Sequence, residues 1–67
     1  DWRMIMKKGS LVRAAVSDVG FGIVTKVKEL DGAPHYWVKW LNGHMAELGR
    51  GAAMGPFPER MLEEATQ

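Results

Sequence analysis

The dipeptide Asp31-Gly32 stands between two runs of apolar, β-branched and aromatic residues, and it constrains the fold more than any other feature of the chain. The runs are residues 20–27, with the sequence GFGIVTKV, and residues 36–40, with the sequence YWVKW. Asp-Gly between such segments is the strongest short-range signal for a β-hairpin. We therefore predict two antiparallel strands, over about residues 21–30 and 35–41, in a small and strongly bent antiparallel sheet.

The chain is short enough to be a single domain, residues 1–67, and it has no cysteine. A domain of this size buries only about 60% of the surface that its unfolded chain exposes, and disulfide bonds cannot add to its stability. Its content of 46% hydrophobic residues argues against disorder. We expect the stability to come from dense packing or from self-association.

The formal net charge is +1, which is close to neutral. A dedicated nucleic-acid binder usually carries a basic surplus, because phosphate neutralisation dominates its affinity. That surplus is absent overall, although local basic patches are compatible with the composition. No apolar run approaches the roughly 20 residues of a membrane span, and the N-terminus lacks the apolar region of a signal peptide. We expect a cytoplasmic protein, or one packaged inside a particle, with no membrane partner.

Other local signals predict the remaining elements. Apolar residues alternate over residues 11–16, which predicts a first strand. Adjacent Ile23 and Val24, with Val27 three residues on, predict a β-bulge in the second strand. Pro58 suits the first position of a one-turn 3₁₀ helix. Four further boundaries are predicted: an N-terminal extension over residues 1–8, a short fourth strand near residues 44–48 after the Asn42-Gly43 hairpin signal, a glycine-rich loop over residues 46–57, and a closing strand over residues 62–65.

The third predicted strand divides into two faces. Tyr36, Val38 and Trp40 share one face, which we assign to the core. Trp37 and Leu41 then point outward, and two outward apolar residues are a candidate contact patch. We expect the buried indole N–H of Trp40 to donate to a backbone carbonyl.

Four segments between about residues 9 and 63 form one pattern: Gly9-Ser10-Leu11-Val12-Arg13, Gly20-Phe21-Gly22-Ile23-Val24-Thr25-Lys26-Val27, Tyr36-Trp37-Val38-Lys39-Trp40-Leu41-Asn42-Gly43 and Pro58-Glu59-Arg60-Met61-Leu62-Glu63. This pattern resembles that of small SH3-like barrel proteins from bacteriophages and bacteria. It implies an all-β, five-stranded antiparallel barrel with a 3₁₀ turn before the last strand. It implies no single function, because this barrel hosts unrelated activities. The segment from Gly22 to Val27 is also similar, more weakly, to the RNA-associated KOW element.

The sequence holds no set of residues typical of catalysis. His35 and His44 are the two histidines, and the absence of cysteine and of suitably spaced carboxylates argues against a metal site. Plasmid-type dihydrofolate reductase is an SH3-like barrel enzyme, but its Val-Gln-Ile-Tyr run has no counterpart here. We predict a non-enzymatic protein without a cofactor. A methyl-lysine cage, as in Tudor-like barrels, is less favoured than core packing for its candidate aromatic residues, which are Tyr36, Trp37, Trp40 and Phe57.

Two binding hypotheses remain. The first is a module that binds a protein partner or itself as a homo-oligomer, with contact residues Trp37, Leu41, Trp2 and Phe57. The alternative is a nucleic-acid-binding module in which a basic face tracks phosphates and Trp37 stacks on a base. The residues of that face would be Lys26, Lys28, Arg13, Lys39 and Arg50, together with Lys7 and Lys8.

Overall fold

The computed structural model describes residues 6–15 and 20–65. Five strands, one short helix and one 3₁₀ turn follow one another along the chain. Their bounds are β1 Leu11–Ala14, β2 Phe21–Leu30, β3 Ala33–Trp40, α1 Gly43–Gly49, β4 Ala53–Pro58, the 3₁₀ turn Glu59–Met61, and β5 Leu62–Glu64. The predicted 3₁₀ turn and the short strand after it are confirmed.

The five strands form one antiparallel sheet in the order β4, β3, β2, β1, β5. The all-β prediction is therefore confirmed at this level. The predicted barrel is not, because in the described parts of the chain β4 and β5 are the two ends of the sheet and do not pair with each other. The chemistry of these ends explains why: β4 contains Pro56 and Pro58, which lack the N–H that a ladder needs, and β5 is only three residues long.

The β2–β3 hairpin forms as predicted and is tighter than expected. Asp31 and Gly32 are its two turn residues, with φ of 53° and 78°. Positive φ at both central positions is the requirement of a type I′ turn, whose twist matches that of the flanking strands. The predicted bulge is also present, since the register of β2 against β3 shifts between Val24 and Lys26.

The hydrophobic core lies on one face of the sheet. Tyr36, Val38 and Trp40 are at most 3% exposed, so the predicted inward face of β3 is confirmed. Val12 and Val24 join them from β1 and β2. Ile23, the neighbour of Val24, takes the opposite face of the sheet.

The Trp40 indole is enclosed mainly by apolar groups. Its ring meets the edge of Phe57 at right angles, with centroids 5.9 Å apart. Gly22 lies so close that an added Cβ would be 3.0 Å from Cε3 of Trp40. The indole Nε1 is buried and has no hydrogen-bond partner within residues 6–15 and 20–65. The expectation that this N–H donates to a carbonyl is therefore wrong for the residues that the structure describes.

Residues 43–49 form the helix α1 where a fourth strand near 44–48 was predicted. The predicted Asn42-Gly43 hairpin is likewise wrong, because the Asn42 Oδ1 accepts a hydrogen bond from the backbone N–H of Phe21 at 2.9 Å and holds the chain against β2. Met45 and Ala46 then pack on the core. The predicted loop over 46–57 is also wrong, since α1 occupies residues 46–49, β4 occupies residues 53–57, and only residues 50–52 connect them.

The segment before β1 belongs to the fold from Met6 onward. Met6 is 2% exposed and is part of the core, so residues 6–8 are not the extension that was predicted over 1–8. The N–H of Gly9 donates to Val24 O at 2.8 Å, and Val24 N–H donates to Ser10 O at 2.9 Å. These bonds continue the β1–β2 ladder and hold the Lys7–Ser10 turn against β2. The C-terminal part of predicted strand one, Val16, lies outside the described residues.

Candidate functional site

The outer face of the sheet, opposite the core, carries the side chains that the fold leaves free for binding. The strand register aligns Leu11, Ile23 and Lys39 across β1, β2 and β3. Leu41 continues β3 by one residue, since its N–H donates to Phe21 O at 2.8 Å. Phe21 and Leu41 therefore lie opposite each other on this face.

Four apolar residues form a continuous patch there, which we call the apolar patch: Leu11, Phe21, Ile23 and Leu41. Leu11, Phe21 and Leu41 are 37%, 40% and 51% exposed, and Ile23 is half-buried. Cross-strand neighbours on one face lie about 4.5–5.5 Å apart at Cβ, so these side chains can contact one another. Large apolar groups that are exposed and adjacent mark a contact surface more often than isolated ones.

Trp37 lies on the same face but apart from the apolar patch. It is four residues from Leu41, which along a strand is about 13 Å, and Lys39 lies between them. The Lys26 Nζ sits 4.7 Å from the centroid of the Trp37 ring, and the backbone of Gly55 approaches the ring so closely that an added Cβ would be 3.0 Å from it. The structure therefore separates the predicted pair of Trp37 and Leu41.

A second surface feature lies where β2 extends beyond β1. It is an open depression, which we call the lysine depression, and its lining residues are Lys7, Lys8, Thr25, Lys26, Val27, Lys28 and Glu29. β1 pairs with β2 only as far as Ile23, and the Lys7–Ser10 turn continues the contact to Val24. The lysines of the turn and those of β2 consequently face one concavity.

The other predicted contact residues have different positions. Arg13 donates from Nε to Oε1 of Glu63 on β5 at 3.0 Å, so its charge is paired. Arg50 lies at the C-terminus of α1 with φ of 52°. Phe57 is half-buried against Trp40, which makes it part of the core rather than of the outer face. Trp2 lies outside the described residues.

The histidines do not form a site with each other. His35 is on β3, and its Nδ1 lies 3.1 Å from Ala33 O, to which it can donate. His44 is in α1. No three His, Asp or Glu residues in the described ranges come together as metal ligands would.

Tyr36 is the aromatic residue whose polar end reaches a charged group. Its ring is buried in the core, and its hydroxyl donates to Oε1 of Glu59 at 3.3 Å. Burial raises the pKa of the Tyr36 hydroxyl, and the negative charge of Glu59 raises this pKa further. Tyr36 and Trp40 are both in the core, so the four candidate aromatic residues do not form an open cage in the part of the chain that the structure describes.

Sequence reasoning missed Leu11 and Phe21 as surface residues. The signal was available in the hairpin register: once Val38 and Trp40 point inward, their partners Val24 and Gly22 point inward as well, so Ile23 and Phe21 point outward.

In the part of the chain that the structure describes, no helix has the length and apolar character to cross a membrane. Comparisons with protein-family models, curated proteins and solved structures find no match.

Proposed function

We propose that this chain is a non-enzymatic SH3-like module that associates with a second copy of itself through the apolar patch. The SH3-like assignment is supported by a meander from β1 to β4, a 3₁₀ turn after β4, and a last strand that returns to pair with β1. The sequence segments quoted above support the same assignment.

The observation that carries the proposal is the adjacency of Leu11, Phe21, Ile23 and Leu41 on one exposed face. Fully burying a Leu or Phe side chain contributes about 1.5–3 kcal/mol, and these residues have between a third and a half of their surface left to bury. Their combined contribution in a dimer is then about 2–4 kcal/mol on each side. Association costs about 4–15 kcal/mol in lost freedom. The upper end of the gain and the lower end of the cost leave about −4 kcal/mol, so the dimer is expected to be weak, with a Kd of about 1 mM.

The edges of the sheet favour contact through the face. β4 carries Pro56 and Pro58, which cannot donate to an added strand. β5 is three residues long and presents Glu64 beside the ion-paired Glu63, and the Glu64 carboxylates of two copies would repel each other there. Natural sheets use short, charged or proline-containing edges to avoid edge-to-edge pairing.

Sedimentation equilibrium over a range of protein concentrations tests the proposal. We expect the wild type to show a monomer–dimer equilibrium, and the variants Phe21→Ser and Leu41→Ser to shift it toward monomer. Leu48→Ser is the matched control, because Leu48 is 59% exposed but lies on α1, away from the apolar patch. It should leave the equilibrium unchanged.

Two results would contradict the proposal. One is a wild type that remains monomeric up to millimolar concentration. The other is an association that Leu48→Ser weakens as much as Leu41→Ser does. Circular dichroism melts of each variant show whether a loss of association is instead a loss of folding.

A further inference from the structure

We infer that the lysine depression and Trp37 form a binding site for single-stranded nucleic acid. The site uses residues that the apolar patch does not, so it stands apart from the proposed self-association. Its four lysines come from two places in the chain: Lys7 and Lys8 from the turn before β1, and Lys26 and Lys28 from β2.

The four ammonium groups have no carboxylate partners in the described ranges. The ion pair found there joins Arg13 to Glu63, on β1 and β5. All four lysines are exposed, and Glu29 is the acidic residue of the lining. The concavity therefore concentrates positive charge on a chain whose net charge is only +1, which is the local basic patch that nucleic-acid binding requires.

The backbone holds the two lysine pairs in fixed relation. Ser10 N–H donates to Lys7 O at 2.8 Å, and Lys7 N–H donates to Ser10 Oγ at 2.9 Å, so the turn is closed by two bonds. Met6 anchors it in the core, and the Gly9–Val24 bond joins it to β2. The backbone positions of the lysines are consequently fixed before a ligand arrives, so binding orders only their side chains, which lowers the entropy cost.

Trp37 supplies the second element of such a site. Its ring is half-buried, and Lys26 Nζ lies over it at 4.7 Å. A nucleobase can take the place of that ammonium on the ring face while Lys26 turns to a phosphate. Stacking on an aromatic ring beside a basic groove is the general mode of single-strand binding. An acidic peptide would use the lysines but would need an aromatic or arginine side chain at a matching position to occupy Trp37, whereas every nucleotide carries a flat base beside its phosphate.

The depression also coincides with an uncovered edge of β2. Beyond Val24, no described strand pairs with β2 on its β1 side. Lysines at such an edge can also have another role, in which they prevent strand pairing between molecules and bind no ligand. The two roles have different consequences: edge protection predicts aggregation when the lysines are neutralised, whereas a binding site predicts lost affinity in a protein that stays soluble.

Fluorescence anisotropy with labelled oligothymidylate, measured over a series of salt concentrations, tests the inference. For single strands log K falls with log salt by about 0.7 for each phosphate neutralised, so four lysines predict a slope of up to about −3. The double variant Lys7→Gln/Lys8→Gln should flatten this slope by about 1.4. Arg60→Gln is the control, because it removes the same type of charge from an exposed position on the 3₁₀ turn.

Trp37→Leu separates stacking from charge. It should weaken binding by between about 5-fold and about 150-fold, the range expected for one stacked base, and leave the salt slope unchanged. Inorganic phosphate and polyglutamate, used as competitors at equal charge, should displace the oligonucleotide poorly.

Any one of four results overturns the inference. These are no wild-type binding at low salt, an equal loss of affinity in Arg60→Gln, competition by polyglutamate as effective as that by unlabelled oligonucleotide, and aggregation of Lys7→Gln/Lys8→Gln with no salt-dependent binding in the wild type. The oligomeric state of each variant is measured in parallel, so that failure of this site is distinguished from failure of the apolar patch.

Discussion

Replacement of Trp40 tests how the core is built. The Trp40 side chain is 3% exposed, lies edge-on to Phe57, and keeps its indole N–H unpaired within the described residues. Trp40→Ala removes the ring and leaves a cavity, which typically costs 3–5 kcal/mol. A chain of 67 residues has a total stability of about 3–10 kcal/mol, so this variant should lose about a third or more of its stability and unfold at a much lower urea concentration than the wild type.

Trp40→Phe gives a sharper test, because two effects oppose each other. The smaller ring loses the packing of two carbons, which costs about 2 kcal/mol. Removing a buried N–H that has no partner raises the free energy of unfolding by about 1–3 kcal/mol. The net change should therefore lie within about 1 kcal/mol of zero.

Trp37→Ala is the matched comparison on the same strand. Trp37 is half-buried and its contact with the Lys26 ammonium is worth about 0.5–1 kcal/mol at an exposed site. Together with its partial burial, the variant should lose about 1–2 kcal/mol.

Urea melts of the three variants, followed by circular dichroism, give the free energies of unfolding. If Trp37→Ala costs as much as Trp40→Ala, the inward and outward faces of β3 are assigned wrongly. If Trp40→Phe loses 3 kcal/mol or more, the indole N–H has a partner and the reasoning about the unpaired donor fails.

Three further predictions concern single positions. Gly22→Ala should lose about 1–3 kcal/mol in urea melts, because its Cβ would clash with Cγ1 of Val38. Arg50→Gly should raise the melting temperature, with a gain of up to about 1 kcal/mol, because Arg50 has φ of 52° at the end of α1. The raised pKa of Tyr36, caused first by burial and then by Glu59, means that the unfolded chain loses this proton at a lower pH than the folded one. The stabilising contribution of the Tyr36 hydroxyl is fully present below about pH 10 and is lost as the pH rises above it. In melts at a series of pH values, the free energy of unfolding of the wild type should therefore fall more steeply with pH than that of Tyr36→Phe only in that alkaline range.

The hairpin and the core face of β3 were predictable because both depend on local rules. Asp31-Gly32 adopts positive φ at both positions, which this dipeptide favours locally. The alternation of Tyr36, Val38 and Trp40 then divides the strand into two faces. Prediction succeeded here because propensity, turn chemistry and periodicity agree.

The helix α1 was not predictable by the same rules. It has only seven residues, a glycine at each end and no buried side chain, so no helical periodicity develops. Asn42-Gly43 is also a dipeptide typical of a two-residue hairpin turn, which favoured the wrong prediction. The outcome depends on a contact distant in sequence, the hydrogen bond from Phe21 N–H to Asn42 Oδ1, together with the packing of Met45 and Ala46 on the core.

The candidate binding sites likewise contain some features that local sequence rules predict and others that depend on contacts distant in sequence. The outward direction of Lys26 and Lys28 follows from alternation in β2 after the bulge. Their proximity to Lys7 and Lys8 depends on the hydrogen bond between Gly9 N–H and Val24 O. The ion pair that neutralises the charge of Arg13 depends on the β1–β5 register, which places Arg13 opposite Glu63. Neither of these long-range pairings has a local sequence signal.

The central claim, that the outer face of the sheet is a contact surface between copies of the chain, is tested most directly by mapping amide chemical shifts of the ¹⁵N-labelled protein during dilution. The account predicts that the largest shifts occur at Leu11, Phe21, Ile23 and Leu41, and that Leu41→Ser abolishes them. Shifts confined to the β4 or β5 edge, or no concentration dependence up to millimolar protein, would contradict it.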